Sequence, residues 1–568
     1  DTATVLEFLA WGRKKNVDFA HDPQHVSGPR RPEIADYSPE DGAPGAATNY
    51  LTESSKTVQL DMLEALLPAK QHIRQLVEYH NDSLLWYHGS YSAKIFSADL
   101  DTFFLDFGGN IRHEQLNIQW LALLFAILAG SMTCASPSTC RAWGFTTTEQ
   151  TTLSLRWYEA TITSLTMADF IELHTVYSVQ AIATLTISAH ILGKSNSQSV
   201  LLASAGRIAQ SLGLHRLGTP ATSVATDQLR KREAGKRVFV QLCTQDWFQI
   251  PFSDSYSLSS SFSNTVKPMN CNDNDMIEHP DSTPTQASYC NYRYQIAALM
   301  PRLLDAMAEC NTLYTKYEQV LKYDELMRKL ATAYIPTFLS TNGPVAAEWP
   351  TYVSWGRRSL TICAAHKIIM IHRKFVGMSF TNTAFSFTRR TCLAASKTIL
   401  KEALAGRDEN GPVIWIEQAF AIAAGIILSL DALHRDSSDK EFEEHERLVA
   451  NTVEYLRKFQ HSKIAVRGVQ LLSSLLRELR PSGLSNSRKR ARAPRDNSAL
   501  STEKRTRTLD AETFIRDVAQ NLGVTPPTST PHAPAHIAAD YNWDAFIDLI
   551  PPHTGFDGQF LFDDFFST

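Results

Sequence analysis

The sequence predicts an all-α protein: one large helical domain, followed by a disordered tail with a basic part and an acidic part. Apolar residues recur at helical spacing from residue 113 to residue 480, as they do at Leu201, Ala205, Ile208 and Leu212. Few runs alternate between apolar and polar residues, which is the pattern of strands. After residue 480 apolar residues become scarce and charge becomes frequent, which is typical of a segment without a packed core.

The composition is that of an ordinary globular protein, with 568 residues, 43% hydrophobic residues, 20% charged residues and a net charge of -4. This balance gives no chain-wide attraction to nucleic acid or membrane, so any function that depends on charge must be local. The longest apolar run, at 120–130, is shorter than the roughly 20 residues that a membrane-spanning helix needs. We expect a buried core helix there, and no membrane partner.

No motif for catalysis or metal binding is found. The eight cysteines are scattered and form no CxxC pair, so neither a disulfide framework nor a zinc ribbon is indicated. His113 and Glu114 are followed by Asn117 where a zinc protease would carry its second histidine. A GxSxG elbow and a GxGxxG loop are also missing. We therefore predict no enzyme activity, no catalytic residue and no cofactor within this chain.

The first 112 residues are predicted to hold a short N-terminal helix and a flexible connector. Val5, Phe8 and Leu9 have helical spacing, Gly12 ends the pattern, and the stretch 21–49 is polar and rich in proline. We place the start of the helical domain at residue 113 and its end at residue 480.

Two features interrupt the helical pattern inside that domain. Gly213 follows the last periodic residue of a helix and is predicted to end it in a left-handed cap. The stretch 251–286 is rich in Ser, Asn, Asp and Pro and cannot sustain a helix. Long loops inside helical domains are often functional or disordered.

The segment 481–537 reads as a disordered basic linker that contains two K-R-x-R clusters in a Ser- and Pro-rich context. Such clusters in an extended chain are recognised by importin, so we predict a nuclear localisation signal and a nuclear protein; a merely solvated charge run is the alternative. The predicted signal residues are Lys489, Arg490, Arg492, Lys504, Arg505 and Arg507.

The last segment, 538–568, alternates aromatic and acidic residues and contains no Lys or Arg. This composition is typical of activation segments, in which acidic residues keep apolar side chains solvated until a partner groove accepts them. A helix induced on binding would present one apolar face to a coactivator or mediator-type protein. The alternative is a strand or helix that docks on the main domain. The predicted activation residues are Trp543, Asp544, Phe546, Ile547, Asp548, Ile550, Phe562, Phe565 and Phe566.

The helical domain also contains a series of short motifs that resembles the middle homology region of fungal binuclear zinc cluster (Zn2Cys6) transcription factors. In that family a helix ending in A-x-x-LGLHR is followed by E-x-x-x-R-[VL]-[FW], an aspartate, and a loop that closes on P-x-N-x-x-D. The matching residues here are Ala209, Leu212, Gly213, Leu214, His215, Arg216, Glu233, Arg237, Val238, Phe239, Asp246, Pro268, Asn270 and Asp273. The loop departs from the family, because SDSYSLSSS stands where many members carry Gly-Arg-Pro.

The resemblance implies a fungal transcription regulator whose domain 113–480 controls activity, and the tail suggests an RNA polymerase II activator that recruits coactivators. The family reads promoter DNA through six cysteines that hold two zinc ions, and this chain lacks them. We expect zinc only if such a cluster precedes the chain. The protein could act as a homodimer or heterodimer; the alternative function is a cluster-less partner that modulates a full-length regulator by heterodimerisation.

We interpret the LGLHR motif as a structural element rather than a ligand site. Leu214 is expected to return to the core after the cap at Gly213. His215 or Arg216 is expected to satisfy backbone carbonyls, or to pair with Glu233 or Asp246.

Overall fold

The computed structural model describes residues 46–219, 224–406, 408 and 411–480, and it describes side chains from residue 55 onward. The described residues are largely helical and contain no β-strand, which confirms the predicted all-α class. The expected N-terminal helix, the basic linker 481–537 and the acidic segment 538–568 lie outside the described residues.

The described residues form two compact units. The first contains the described residues up to 311, 327–360 and 406–415, and the second contains 312–326, 361–405 and the described residues from 416 onward. The helices of the first unit are α1 (Ala46–Leu66), α2 (Lys70–Ser83), α3 (Leu85–His88), α4 (Ala93–Leu105), α5 (Ile118–Cys134), α6 (Pro137–Ala142), α7 (Thr147–Met167), α8 (Val176–Ala189), α9 (Ser195–Ser211), α10 (Thr226–Ser253), α11 (Ser288–Ala297) and α12 (Leu299–Ala308). Two helices contribute residues to both units, α13 (Leu313–Ala331) and α14 (Tyr352–Ser379). The second unit contains α15 (Ser386–Leu404), nearly all of α16 (Trp415–Leu433), α17 (Lys440–Leu456) and α18 (Lys463–Leu479).

Helix α5 is the centre of the first unit. It is apolar on all sides and buried from Gln119 to Cys134, as expected for the apolar run at 120–130, and it packs against α2, α7 and α8. Gly130 lets the neighbouring helices approach closely, because a Cβ there would lie 2.8 Å from the His80 ring and 2.7 Å from the Ile187 side chain.

Two buried histidines of this core are matched to each other by hydrogen bonds. The carbonyl of Ile127 accepts from Nδ1 of His80 at 3.0 Å, which leaves Nε2 of His80 to accept from Nε2 of His88 at 3.0 Å. Burial lowers the pKa of His80 to about 3, although the hydrogen bond to Ile127 opposes this shift. Both rings are therefore neutral packing groups at physiological pH.

The second unit is built around α16, the one described helix that is long and apolar enough to cross a membrane. All of its apolar stretch is buried, which is typical of a core helix. It lies close to α18, since a Cβ at Gly468 would overlap Ile422 and one at Gly425 would lie 3.0 Å from Leu472.

The predicted boundary at residue 113 is wrong. The region 46–112 was expected to be a flexible connector, yet α2 and α4 belong to the first unit and bury Leu76, Phe96 and Phe103. These residues lie beyond the proline-rich stretch 21–49 and have helical spacing with their neighbours, so the connector was extended too far.

Candidate functional site

The LGLHR motif forms a tight corner at the end of α9. Gly213 has a φ of 74°, the left-handed conformation expected of the cap, and a short 3-10 turn, Leu214–Arg216, follows it. Leu214 is fully buried. The corner therefore ends the helix and anchors the chain in the core, as its sequence indicates.

The side chains of this corner do not pair with the acidic residues that we expected. Nε of Arg216 donates to Nε2 of His215 at 3.1 Å, while Glu233 and Asp246 bind partners elsewhere. The carbonyls of the corner are satisfied by the long loop instead. His215 accepts from the hydroxyl of Ser263 and the amide of Asn264, both at 3.0 Å. Spacing along one helix does not reveal a loop that returns to it, which is why this prediction failed.

That loop, residues 254–287, connects α10 to α11 and is the candidate site; we call it the motif loop. Its first attachment to α10 is Asp246, whose carboxylate accepts from the amides of Ser257 at 2.9 Å and Leu258 at 2.8 Å. The indole of Trp247 donates to the carbonyl of Leu258 at 2.7 Å. Burial raises the pKa of Asp246, and the hydrogen bonds from Leu258 and Ser257 oppose the increase.

Glu233 makes the second attachment, near the middle of the motif loop. One carboxylate oxygen accepts from the amide of Met269 at 2.8 Å, and the other accepts from Lys236, one turn later on α10, at 2.6 Å. Both charged side chains are buried. A buried carboxylate needs such a partner, because an isolated charge in the interior is strongly disfavoured.

Arg237 makes the third attachment through a buried ion pair, with 2.6 Å between its Nη2 and Oδ1 of Asp273. The other oxygen of Asp273 accepts from the amide of Ala93, at the start of α4, at 2.8 Å. The carbonyl of Asp273 accepts from Nε of Arg230 at 2.8 Å. Removing one partner of such a pair typically costs about 3–5 kcal/mol, because the other charge stays buried.

Asn270 closes the end of the motif loop. Its amide nitrogen donates to the carbonyls of Pro280 at 2.9 Å and Thr283 at 3.0 Å. Its oxygen accepts from the hydroxyls of Thr285 and Ser288, both at 2.7 Å. The residues of the E-x-x-x-R and P-x-N-x-x-D motifs thus share one structural role. Their hydrogen bonds and ion pair fix the path of the loop along α10.

The arrangement does not resemble a catalytic centre. The buried charges are paired with one another, and the hydrogen bonds of Asp246 and Asn270 end on the loop or on Ser288 at the start of α11. Among the described residues no group of three or more His, Cys, Asp or Glu side chains could hold a metal ion. All eight cysteines lie in the described part of the chain and form no disulfide there; seven are buried and Cys310 is half-buried. They do not fit a binuclear zinc cluster.

Sequence reasoning missed several residues of the site. Lys236 could have been found from its spacing of three residues from Glu233, which is the spacing of helical ion pairs. Ser263, Thr265 and Met269 carry no sequence signal, because they contribute backbone or hydroxyl groups from an irregular segment. The predicted import residues, 489–507, and activation residues, 543–566, lie outside the described residues.

Comparison with known proteins gives relatives over much of the chain. No protein-family model matches it. The Agnestins biosynthesis cluster transcription factor AgnL11 of Paecilomyces divaricatus is 23% identical over 440 residues, which cover 73% of this chain and 62% of that protein. The Zn(2)-C6 fungal-type transcription factor mpsB of Macrophomina phaseolina (strain MS6) is 24% identical over 206 residues, 34% of this chain and 27% of its own length.

A third relative, the Zn(2)-C6 fungal-type transcription factor pigI of Monascus ruber, is 23% identical over 224 residues, which cover 38% of this chain and 27% of that protein. The chain thus spans less than two thirds of the length of each of these relatives. Curated homologues of the chain are named transcription factors, and two of them are named as the Zn(2)-C6 fungal type. The resemblance predicted from the motifs is confirmed at this level.

Proposed function

Because its curated homologues are fungal transcription factors, we propose that this chain is the regulatory and activating part of a nuclear transcription regulator. The observation that carries the proposal is the similarity to AgnL11 over 73% of the chain, which includes the region of the motif loop and of the helices around it. The work of the protein is recruitment rather than catalysis. The helical region regulates the activity, and the tail binds other proteins.

In this proposal, activation of RNA polymerase II transcription comes from the acidic segment 538–568. Trp543, Phe546, Ile547 and Ile550 share one face if the segment becomes helical, and a hydrophobic groove of a coactivator accepts that face. The aspartates between these residues speed the encounter with a basic partner surface and keep the free segment solvated.

The test is a fusion of this chain to an unrelated DNA-binding domain, with a reporter gene as the readout. The fusion should activate, and joint replacement of Trp543, Phe546 and Ile550 by alanine should remove most of the activity. Replacement of Thr528, Ser529 and Thr530 by alanine is the matched control in the same tail, and it should leave activity intact. Full activity of the Trp543, Phe546 and Ile550 variant would contradict the proposal.

Nuclear import is assigned to the two basic clusters, through an importin. Alanine at Lys489, Arg490, Arg492, Lys504, Arg505 and Arg507 should leave a fluorescent fusion in the cytoplasm. Alanine at Arg390 and Lys401, two exposed cations of α15, is the control and should leave it nuclear. Nuclear accumulation of both variants would show that the basic clusters are only a solvated charge run.

DNA binding, in this proposal, belongs to a zinc cluster outside the present sequence, carried either by the same protein or by a dimer partner. The cysteines of this chain are too dispersed and too buried to supply it. Sequencing the transcript upstream of the codon for Asp1 separates the two cases. Six in-frame cysteines in the family spacing assign DNA binding to this protein, whereas a start codon directly upstream makes it a partner of a full-length regulator.

A further inference from the structure

The part of the motif loop that departs from the family pattern is a run of serines. Seven serines stand between residues 253 and 263, and five of them are exposed: Ser253, Ser255, Ser257, Ser260 and Ser261. Hydrogen bonds hold the loop within this run, where the amide of Leu258 binds α10, and at its end, where the hydroxyl of Ser263 binds the LGLHR corner. The serines are therefore presented from a fixed segment at the surface.

Ser257 differs from the other exposed serines in its surroundings. Its amide donates to Asp246 at 2.9 Å, and the hydroxyl of the preceding Tyr256 donates to the two carboxylate oxygens of Asp305 at 2.9 and 3.1 Å. Two consecutive residues of the loop are thus held by two carboxylates. Ser255 and Ser260 are also exposed, but the amides that bind Asp246 are those of Ser257 and Leu258.

The carboxylate of Asp246 carries a single negative charge and binds the amides of Ser257 and Leu258 together with the hydroxyl of Ser257. A phosphate on Ser257 would add a charge of about -1.5 to -2 next to that carboxylate. The phosphate and the carboxylate of Asp246 would repel each other. Because Asp246 is half-buried, water screens this repulsion less than it would at the surface. Departure of Ser257 and Leu258 from Asp246 would relieve this repulsion.

The surroundings also define the kind of enzyme that would modify this site. No Lys or Arg occurs between Arg237 and Lys267, and Asp254 lies three residues before Ser257. A kinase with a basic substrate groove attracts such an acidic segment. Kinases that require arginine near the target serine would phosphorylate it poorly.

We propose that Ser257 is a phosphorylation site for an acid-directed protein kinase, and that phosphorylation releases the start of the motif loop from α10. In the reaction Oγ of Ser257 attacks the γ-phosphorus of ATP. The new O–P bond forms as the bond between the γ-phosphorus and the bridging oxygen breaks. ADP leaves, and the hydroxyl proton passes to the kinase base and then to solvent.

The test treats the full chain with an acid-directed kinase and ATP, maps phosphate by mass spectrometry, and then measures amide hydrogen exchange. Phosphate is expected on Ser257, and exchange in a peptide covering 254–262 should rise at least tenfold. Exchange in a peptide covering 266–276, which Glu233 and Arg237 hold, should change little. Absence of phosphate on Ser257 would overturn the proposal, and so would phosphate there without faster exchange.

Four variants separate the effect of charge from damage to the fold. S257E should accelerate exchange at 254–262, whereas S255E and S260E, which place the same charge two or three residues away, should not. S257A should abolish both the modification at this position and the kinase-dependent change. If S257E does not fold, the treated wild-type chain and S257A still give the comparison, and equal exchange in S257E and S260E would contradict the role of Asp246.

Discussion

Two buried aspartates, one in each unit, have pKa values that are shifted in opposite directions. Asp431 on α16 accepts from Arg389 at 2.6 Å and from Arg435, and it lies 3.1 Å from Nδ1 of His445. Burial alone would raise its pKa, but these partners lower the pKa to about 2. Asp99 on α4 is also buried, with the hydroxyl of Tyr177 at 3.1 Å, and burial raises its pKa to about 7. Burial therefore does not set the sign of the shift; the number of cationic partners does.

The largest effect is expected at Asp99. The folded chain keeps a proton on this carboxyl up to about pH 7, whereas the unfolded chain releases it near pH 4. The folded state thus binds more protons between these values, so the free energy of unfolding falls as the pH rises from 4 to 7, by up to about 4 kcal/mol.

D99N removes that titration, so the stability of D99N minus that of the wild type should rise with pH over the same window. Urea denaturation at a series of pH values from 4 to 8 measures this difference. D101N, an exposed change on the same helix, controls for the substitution itself. A difference that does not vary with pH would mean that Asp99 is ionised in the folded chain.

The next effect is expected at Asp431. D431N removes the carboxylate and leaves Arg389, Arg435 and His445 facing a neutral group, which should cost about 3 kcal/mol at neutral pH. The wild-type contribution is present above pH 4 and is lost as the pH falls toward 2, because the folded pKa lies below the unfolded one. Urea denaturation at pH 7 tests the cost, with the exposed E443Q as control, and equal stability of D431N and the wild type would refute it.

A smaller loss of stability is expected when Arg435, one partner of Asp431, is replaced. R435M should cost about 1–2 kcal/mol, since Arg389 and His445 remain and the guanidinium of Arg435 is partly exposed to solvent. The variant should also raise the pKa of Asp431, so that acid destabilisation begins at a higher pH. R457Q removes an exposed ion pair with Glu454 and should change stability by less than about 1 kcal/mol.

The smallest effect is expected from Y177F, which removes the hydroxyl that donates to Asp99. The loss should be about 1 kcal/mol, and the pKa of Asp99 should rise further, because the hydrogen bond stabilises its charged form. A pH series of urea denaturation measures both quantities. The control is Y158F, since the Tyr158 hydroxyl is buried without a hydrogen-bond partner among the described residues. If Y158F loses as much stability as Y177F, the loss in Y177F comes from packing and not from the hydrogen bond to Asp99.

The spacing of apolar residues and local sequence signals were sufficient to predict helices, a cap and a loop. They were not sufficient to predict which residues of these elements contact one another. The helix that carries Ile208, its cap at Gly213 and the loop that follows α10 could all be predicted, because each depends on residues that are close in sequence. The loop amides that bind Asp246 and Glu233 could not, and neither could the pairing of Asp431 with Arg389 and His445. These contacts cross an irregular loop or join different helices, and composition carries no information about which group arrives there.

The attachments of the motif loop have a consequence for the order in which it forms. Asp246 binds a residue only 11 positions away, whereas Glu233 and Arg237 bind partners 36 positions away. The chain therefore doubles back along α10, and the shortest closure lies at the turn. Closing a short loop loses less chain entropy than closing a long one, so the loop should assemble like a zipper, from Asp246 toward the start of α10.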